Sequence, residues 1–181
     1  AFGNMVMDIG GGTSEIAVIS LSHIVVHNSI RVGGDKMDND IISYLRKKNN
    51  LHVGLQTAEK IKMTIGSAYP LKEELTMDVR GRDIVSGFPV TIKISSEEVR
   101  EALSETIATM VDAIKRLFER TAPELSADIA ERGIFLTGGG AMLKGLDEKI
   151  SKTVDLPVYV VPDALECVVK GAGKVLDELD R

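Results

Sequence analysis

The stretch that most constrains this chain is Asp8-Ile9-Gly10-Gly11-Gly12-Thr13-Ser14-Glu15. Met5-Val6-Met7 runs into it and Ile16-Ala17-Val18-Ile19 runs out, both β-prone. Strand, glycine triplet, strand predicts a tight hairpin rather than a strand-to-helix turn. Three glycines carry no Cβ to hold a ligand off the backbone. They can also take positive φ angles that turn successive N–H groups toward one point. Such a concave set of amides is an anion nest, suited to phosphate oxygens. Asp8 and Thr13 flank the turn with a carboxylate for a hydrated cation and a hydroxyl for a water or phosphate. A plain glycine hairpin is the competing reading of these residues taken alone.

Around this hairpin the chain organises itself by period. Residues 5–8, 14–20 and 23–32 read as three consecutive strands, the last rich in β-branched residues. Gly33-Gly34 stops the third, and Asp35 is the expected N-cap of a helix running to about Lys48. Ile41, Ile42 and Leu45 mark its buried side, and Arg46-Lys47-Lys48 with Asn49-Asn50 fits dipole and C-cap chemistry better than a basic patch. Thr57 opens a second helix through Ile61 and Ile65, ended by Pro70. Leu75, Met77 and Val79 alternate, as do Val90, Ile92 and Ile94 across a turn with Gly81 and Gly87, which predicts a two-stranded arm with one apolar face. Ser95-Ser96-Glu97-Glu98 is a capping box, and Val99, Leu103, Ile107, Met110, Ile114 and Leu117 then trace one helical stripe, read as core. After Pro123 comes a short segment over 125–129, then the strand 133–137, then a second triplet, Gly138-Gly139-Gly140, opening a helix from about Ala141. A strand over 157–161 and a helix over about 165–179 close the chain, with Gly171 and Gly173 expected to pack closely on a neighbour.

The order β-β-β, insert, α-β-α-β-α is that of an α/β, ribonuclease-H-like domain: a mixed sheet covered by helices, interrupted by a small inserted α+β subdomain. Two glycine triplets at strand ends, far apart in sequence, can then converge on one ligand at the edge of the sheet. Competing chemistries lack their residues. There is no Gly-x-x-x-x-Gly-Lys-Ser/Thr. Gly171-Ala172-Gly173 lacks the preceding strand and third glycine of a dinucleotide fingerprint. His23, His27 and His52 have no partners at metal-ligand spacing, and Cys167 has no evident base beside it. With one cysteine no internal disulfide can form, which points to a reducing compartment. A net charge of −5 disfavours a nucleic-acid surface. No apolar run approaches the roughly 20 residues that span a bilayer. The abrupt entry into a strand suggests a piece of something longer.

Asp8-Ile9-Gly10-Gly11-Gly12-Thr13 resembles the second phosphate-binding loop of the actin, heat-shock chaperone and sugar-kinase superfamily, and residues 135–143 resemble its adenosine motif. Residues 30–38, Arg80-Gly81-Arg82-Asp83 with Gly87, and residues 136–146 narrow the resemblance to MreB, the bacterial actin homologues of rod-shape control. The likeness covers the second lobe only, with residues 1–34 and 97–181 as its lower core subdomain and 35–96 as the inserted upper one. It implies a nucleotide-binding half of a cytoskeletal ATPase using ATP and Mg2+, with no turnover expected from one lobe. Asp8 would hold the Mg2+ through water, and Gly10, Gly11, Gly12 and Thr13 would cradle the β- and γ-phosphates. Thr13 and Glu15 would help orient the attacking water. Gly33 and Asp35 would lie by the ribose, Glu59 and Lys62 on the polar side of the adenine pocket, and Gly138, Gly139, Gly140 and Met142 against the adenosine. Thr64 stands where such proteins often carry an acidic residue. The resemblance further implies self-association into filaments, a RodZ-like membrane-anchored partner with the cell-wall elongation machinery, and a cytoplasmic place at the inner face of the membrane. A scaffold domain of a division or pilus-assembly protein is the alternative from another class. A small-molecule kinase would need a catalytic acid for which no candidate is seen.

Overall fold

The computed structural model describes residues 2–179. Strands β1 (Asn4–Ile9), β2 (Ser14–Ser20) and β3 (His23–Ile30) form an antiparallel meander. The chain then runs through helix α1 (Gly34–Asn49), the short strand β4 (Leu51–His52), helix α2 (Leu55–Ile65) and strands β5 (Thr76–Asp83) and β6 (Pro89–Ser95). Helices α3 (Ser96–Glu119) and α4 (Pro123–Arg132) follow. Strand β7 (Ile134–Thr137), helix α5 (Leu146–Val154), strand β8 (Val158–Val160) and helix α6 (Cys167–Leu179) complete the chain. The main sheet has the order β3-β2-β1-β7-β8, with β1, β7 and β8 mutually parallel. This is the mixed ribonuclease-H-like sheet that the element order predicted. A second sheet, β4-β5-β6, is antiparallel.

Period decides what is buried. Met5, Met7 and Ile9 alternate into the core from β1, and Ile16 and Val18 from β2. Every residue of the expected α3 stripe, from Val99 to Leu117, is buried. The capping box forms: the Ser95 hydroxyl accepts from Glu98 N–H, and the Glu98 carboxylate accepts from Ser95 N–H at 2.8 Å. Helix α3 packs on β2 and β3 of the main sheet, on β6 of the second, and on α1 and α5, so it joins both sheets to one core. Among the described residues no helix is long and apolar enough to cross a membrane.

Several expectations give way where tertiary contacts outweigh local signals. The N-cap of α1 is Gly33, not Asp35, and no side chain caps it. The hairpin loop does so instead: Gly34 N–H donates to Gly10 O and Asp35 N–H to Gly11 O, both at 2.9 Å. Helix α2 begins two residues early and stops at Ile65, well before Pro70. Lys144 explains the stop, because its Nζ donates to the terminal carbonyls of Met63 and Thr64 and its own carbonyl accepts from Ala68 N–H. The arm is three-stranded, since β4 pairs with β5. The segment after Pro123 is a full helix, α4. Gly171 and Gly173 face open space, so the close packing expected of them is absent.

Candidate functional site

The parallel pairing of β1 with β7 sets the ends of both strands side by side, with Asp8 abreast of Thr137. On its other flank Asp8 is abreast of Glu15. The two glycine triplets therefore leave the sheet at one edge, 128 residues apart in sequence. Against them lies a cleft of about 470 Å³, within the size range of small-molecule sites. Gly10 and Gly11 of the hairpin form one wall, and Gly34, Asp35, Met37 and Asp38 of α1 a second. Glu59, Lys62 and Met63 of α2 form a third. Gly139, Gly140, Met142, Leu143 and Lys144 close the far side with Leu165.

The hairpin loop is built differently from the expectation. Gly10–Gly12 take no positive φ, so the left-handed turn proposed for them is absent. Gly10 N–H donates to Thr13 O at 2.9 Å, which closes the loop in ordinary backbone regions. The next three N–H groups, of Gly11, Gly12 and Thr13, donate to nothing among the described residues. Three amides without an acceptor in one exposed loop are available to a ligand. Gly33 is buried directly beneath the loop. A Cβ there would lie 2.5 Å from both Gly10 O and Gly11 O, so glycine is what lets α1 abut the loop.

The second triplet also departs from the prediction. No α-helix starts at Ala141. A single 3₁₀ turn over Gly139–Met142 is followed by an extended Leu143, and α5 starts at Leu146 after a left-handed Gly145. The hook is needed because Lys144 must reach back to pair with Ser67. A short 3₁₀ turn offers little of the dipole and few of the free amides of an α-helix. Gly138, at φ 84° and ψ 167°, makes the corner, and its N–H donates to Ala164 O at 3.0 Å.

Two carboxylates shape the electrostatics, half-buried Asp8 and buried Asp38. Burial raises the Asp8 carboxyl above its ordinary value, and the facing Glu15 adds to that. Glu15 itself is exposed and accepts from the Ser29 hydroxyl at 2.6 Å. Lys62 Nζ stands 2.9 Å from Asp38 Oδ1 and donates to Gly34 O at 3.1 Å, bracing α1 against α2. Burial pushes the Asp38 carboxyl up, Lys62 pulls it down, and Glu59 and Asp35 push it up again.

Of the expected site residues, Gly10, Gly11, Asp35, Glu59, Lys62, Gly139, Gly140 and Met142 line the cleft together. Gly12 and Thr13 are exposed in the same loop but do not line the cleft; Asp8, Glu15 and Gly138 lie at the strand ends, and Gly33 packs behind the loop. Sequence reasoning missed Gly34, Met37, Asp38, Met63, Leu143, Lys144 and Leu165. Helical spacing could have found some of them: Asp38 follows Asp35 by three, and Met63 follows Glu59 by four.

The family profile described as MreB/Mbl protein matches residues 1–181. The chain belongs to the MreB/Mbl family. This MreB/Mbl chain is 48% identical over 179 residues to the cell shape-determining protein Mbl of Bacillus subtilis, an alignment covering 99% of this chain and 54% of Mbl. It is 47% identical over 180 residues to the cell shape-determining protein MreB of Escherichia coli, covering 99% of this chain and 52% of that one. The chain thus spans about half the length of the curated relatives it matches. MreB 5 of Spiroplasma citri bound to AMPPNP superposes with a TM-score of 0.96 at 40% identity, over 99% of this chain and 54% of that one. The MamK double helical filament superposes at 0.69 with 20% identity, which shows the shared actin-like fold.

Proposed function

We propose that this chain is the nucleotide-binding half of an actin-like cytoskeletal ATPase that polymerises into filaments and organises cell-wall growth and rod shape. The observation that carries the reading is the three amides of Gly11, Gly12 and Thr13 without an acceptor among the described residues, in a loop whose Gly10 and Gly11 line a cleft that two glycine loops share. Three such donors suit phosphate oxygens. The likeness to MreB 5 of Spiroplasma citri, whose structures hold AMPPNP and ADP, supports a nucleotide as the ligand.

The residues fit ATP with Mg2+. Asp8 is a partly buried carboxylate with no cation paired to it among the described residues, and Glu15 faces it. Two carboxylates abreast suit a hard ion that keeps several waters. Asp8 would hold Mg2+ through water, which would neutralise charge developing on the phosphates. Gly10, Gly11, Gly12 and Thr13 hold the β- and γ-phosphates, and the Thr13 hydroxyl and Glu15 orient a water. Gly33 acts by packing, placing Asp35 beside the ribose. Glu59 and Lys62 form the polar wall, and Gly138 sets the corner that lets Gly139, Gly140 and Met142 meet the adenosine. Residues 1–34 and 97–181 form the lower subdomain and 35–96 the upper. Filament contacts between copies, a RodZ-like membrane-anchored partner with the elongation machinery, and assembly in the cytoplasm at the inner face of the membrane complete the proposal.

Calorimetry with ATP, with and without Mg2+, tests the site, and electron microscopy of the full-length protein with ATP and Mg2+ tests the assembly. Saturable binding strengthened by Mg2+, and straight filaments, are expected. No binding at millimolar ATP would refute the first, and its absence of polymer the second.

A further inference from the structure

The last carbonyls of an α-helix have no partner within the helix, and a cation beside them is favoured. In α2 two of them, Met63 O and Thr64 O, accept from Lys144 Nζ at 2.9 and 3.0 Å. The carbonyl of Lys144 accepts from Ala68 N–H at 2.8 Å, and its backbone pairs with Ser67 in a parallel bridge. A single residue, 80 positions beyond Thr64 in sequence, thus holds the end of α2 by side chain and backbone together.

What it ties are two walls of the cleft. Glu59, Lys62 and Met63 line it from α2. Met142, Leu143 and Lys144 itself line it from the turn after β7. Helix α2 lies between strands of the second sheet, whereas β7 belongs to the main sheet, so the walls stand on separate frameworks. Met63 and Met142, one on each wall, are long side chains and mostly exposed. Side chains of that kind give a flat base a defined slot only where their backbones are fixed. The Lys144 ammonium is already spent on two carbonyls, and the loop read as the phosphate cradle forms a different wall, so a direct phosphate contact does not explain it.

We propose that Lys144 is a positioning residue of the nucleotide site, fixing the spacing of the two walls at the base end of the cleft and acting through α2. This rests on the nucleotide reading above. Walls fixed in advance need not be ordered when the base arrives, and such ordering otherwise costs affinity.

The test uses the full-length protein and its Lys144→Ala and Lys144→Arg variants. Both keep the backbone bridge, and arginine still has donors for two carbonyls. Hydrogen exchange without ligand reads the tie itself: amides over residues 62–66 should exchange faster in Lys144→Ala and near the wild-type rate in Lys144→Arg. Unchanged exchange in Lys144→Ala overturns the proposal. Calorimetry with Mg2+ reads the consequence. Lys144→Ala should bind ATP about 10-fold more weakly, the cost of ordering one or two long side chains on binding, and Lys144→Arg should stay within about threefold of wild type. Inorganic tripolyphosphate, which has no base, should bind all three proteins alike. A merely structural lysine would lower the urea midpoint and leave ATP affinity unchanged, which overturns the proposal. Equal losses for ATP and tripolyphosphate overturn it too, because they put the effect at the phosphate end. Where wild type holds tripolyphosphate too weakly to measure, arginine decides: ATP affinity as low in Lys144→Arg as in Lys144→Ala refutes the assignment. Should Lys144→Ala fail to fold, Lys144→Met, of similar length and without a donor, is judged by the same criteria. Failure of wild type to bind ATP is a different result, and would remove the nucleotide reading together with this one.

Discussion

Replacing Gly138 with alanine probes the corner that joins the sheet to the cleft. Gly138 holds φ 84° and ψ 167°, a region reached almost solely by glycine, and forcing a side chain into it costs about 1–3 kcal/mol. Space adds a second penalty. The new Cβ would lie 2.4 Å from both Asp8 Oδ1 and Ile9 O, and the latter is main chain of the central strand, which cannot swing aside. Overpacking of this kind costs about 1–3 kcal/mol more. The expected loss is therefore about 2–6 kcal/mol, a large share of the stability of an ordinary domain, about 5–15 kcal/mol. Gly12→Ala is the matched control. Nothing lies within 4 Å of its Cβ and its φ is outside the left-handed region, so the change should be neutral or should stabilise by up to about 1 kcal/mol. The chain has no tryptophan, so urea unfolding followed by far-UV circular dichroism is the assay. Gly138→Ala within about 0.5 kcal/mol of wild type, or Gly12→Ala as damaging as Gly138→Ala, would refute the reasoning.

Burial and Glu15 raise the Asp8 carboxyl above 3.8, so the folded state disfavours its charge, and that cost disappears as pH falls through the raised value. Asp8→Asn should thus be more stable than wild type at neutral pH, with the gap closing as pH falls through the raised value and gone below the ordinary aspartate value; urea midpoints that diverge toward low pH would contradict this. Arg100 donates to the buried Ser67 hydroxyl at 2.7 Å and to Tyr69 O at 3.0 Å, tying the loop after α2 to α3. Arg100→Ala should cost about 1–3 kcal/mol by leaving Ser67 poorly paired, and hydrogen exchange should speed first over residues 66–74. Ser95→Ala removes half of the capping box and should lower stability by about 1 kcal/mol with no effect on ligand binding, measured by the same unfolding assay and ATP calorimetry. Leu103, fully buried on α3, should cost about 2–5 kcal/mol as Leu103→Ala, and a smaller loss would mean that the two sheets do not share one core there.

Much of this was legible in the sequence because its signals are local. The hairpin of β1 and β2, the alternation of β5 and β6 and the stripe and capping box of α3 each depend on residues within a few positions of one another. Asn50 shows the same economy: it takes the left-handed C-cap of α1, after three basic residues in the last turn. Candidate site residues in the two triplets and on α2 were legible too, since glycine loops and helical faces are short-range patterns. Their joint placement was not. Nothing near Asp8 says that Thr137 lies abreast of it. Parallel strands are paired by a crossover whose partner is chosen by the whole core. The N-terminus of α1 could not be read from Asp35, because the cap came from carbonyls of a loop more than twenty residues earlier. Nor could the end of α2 be read from Pro70, because Lys144 ended it from across the cleft. Period, turn chemistry and caps belong to neighbours in sequence. Pairing and termination by distant donors belong to neighbours in space, and these bring the two glycine loops to one cleft.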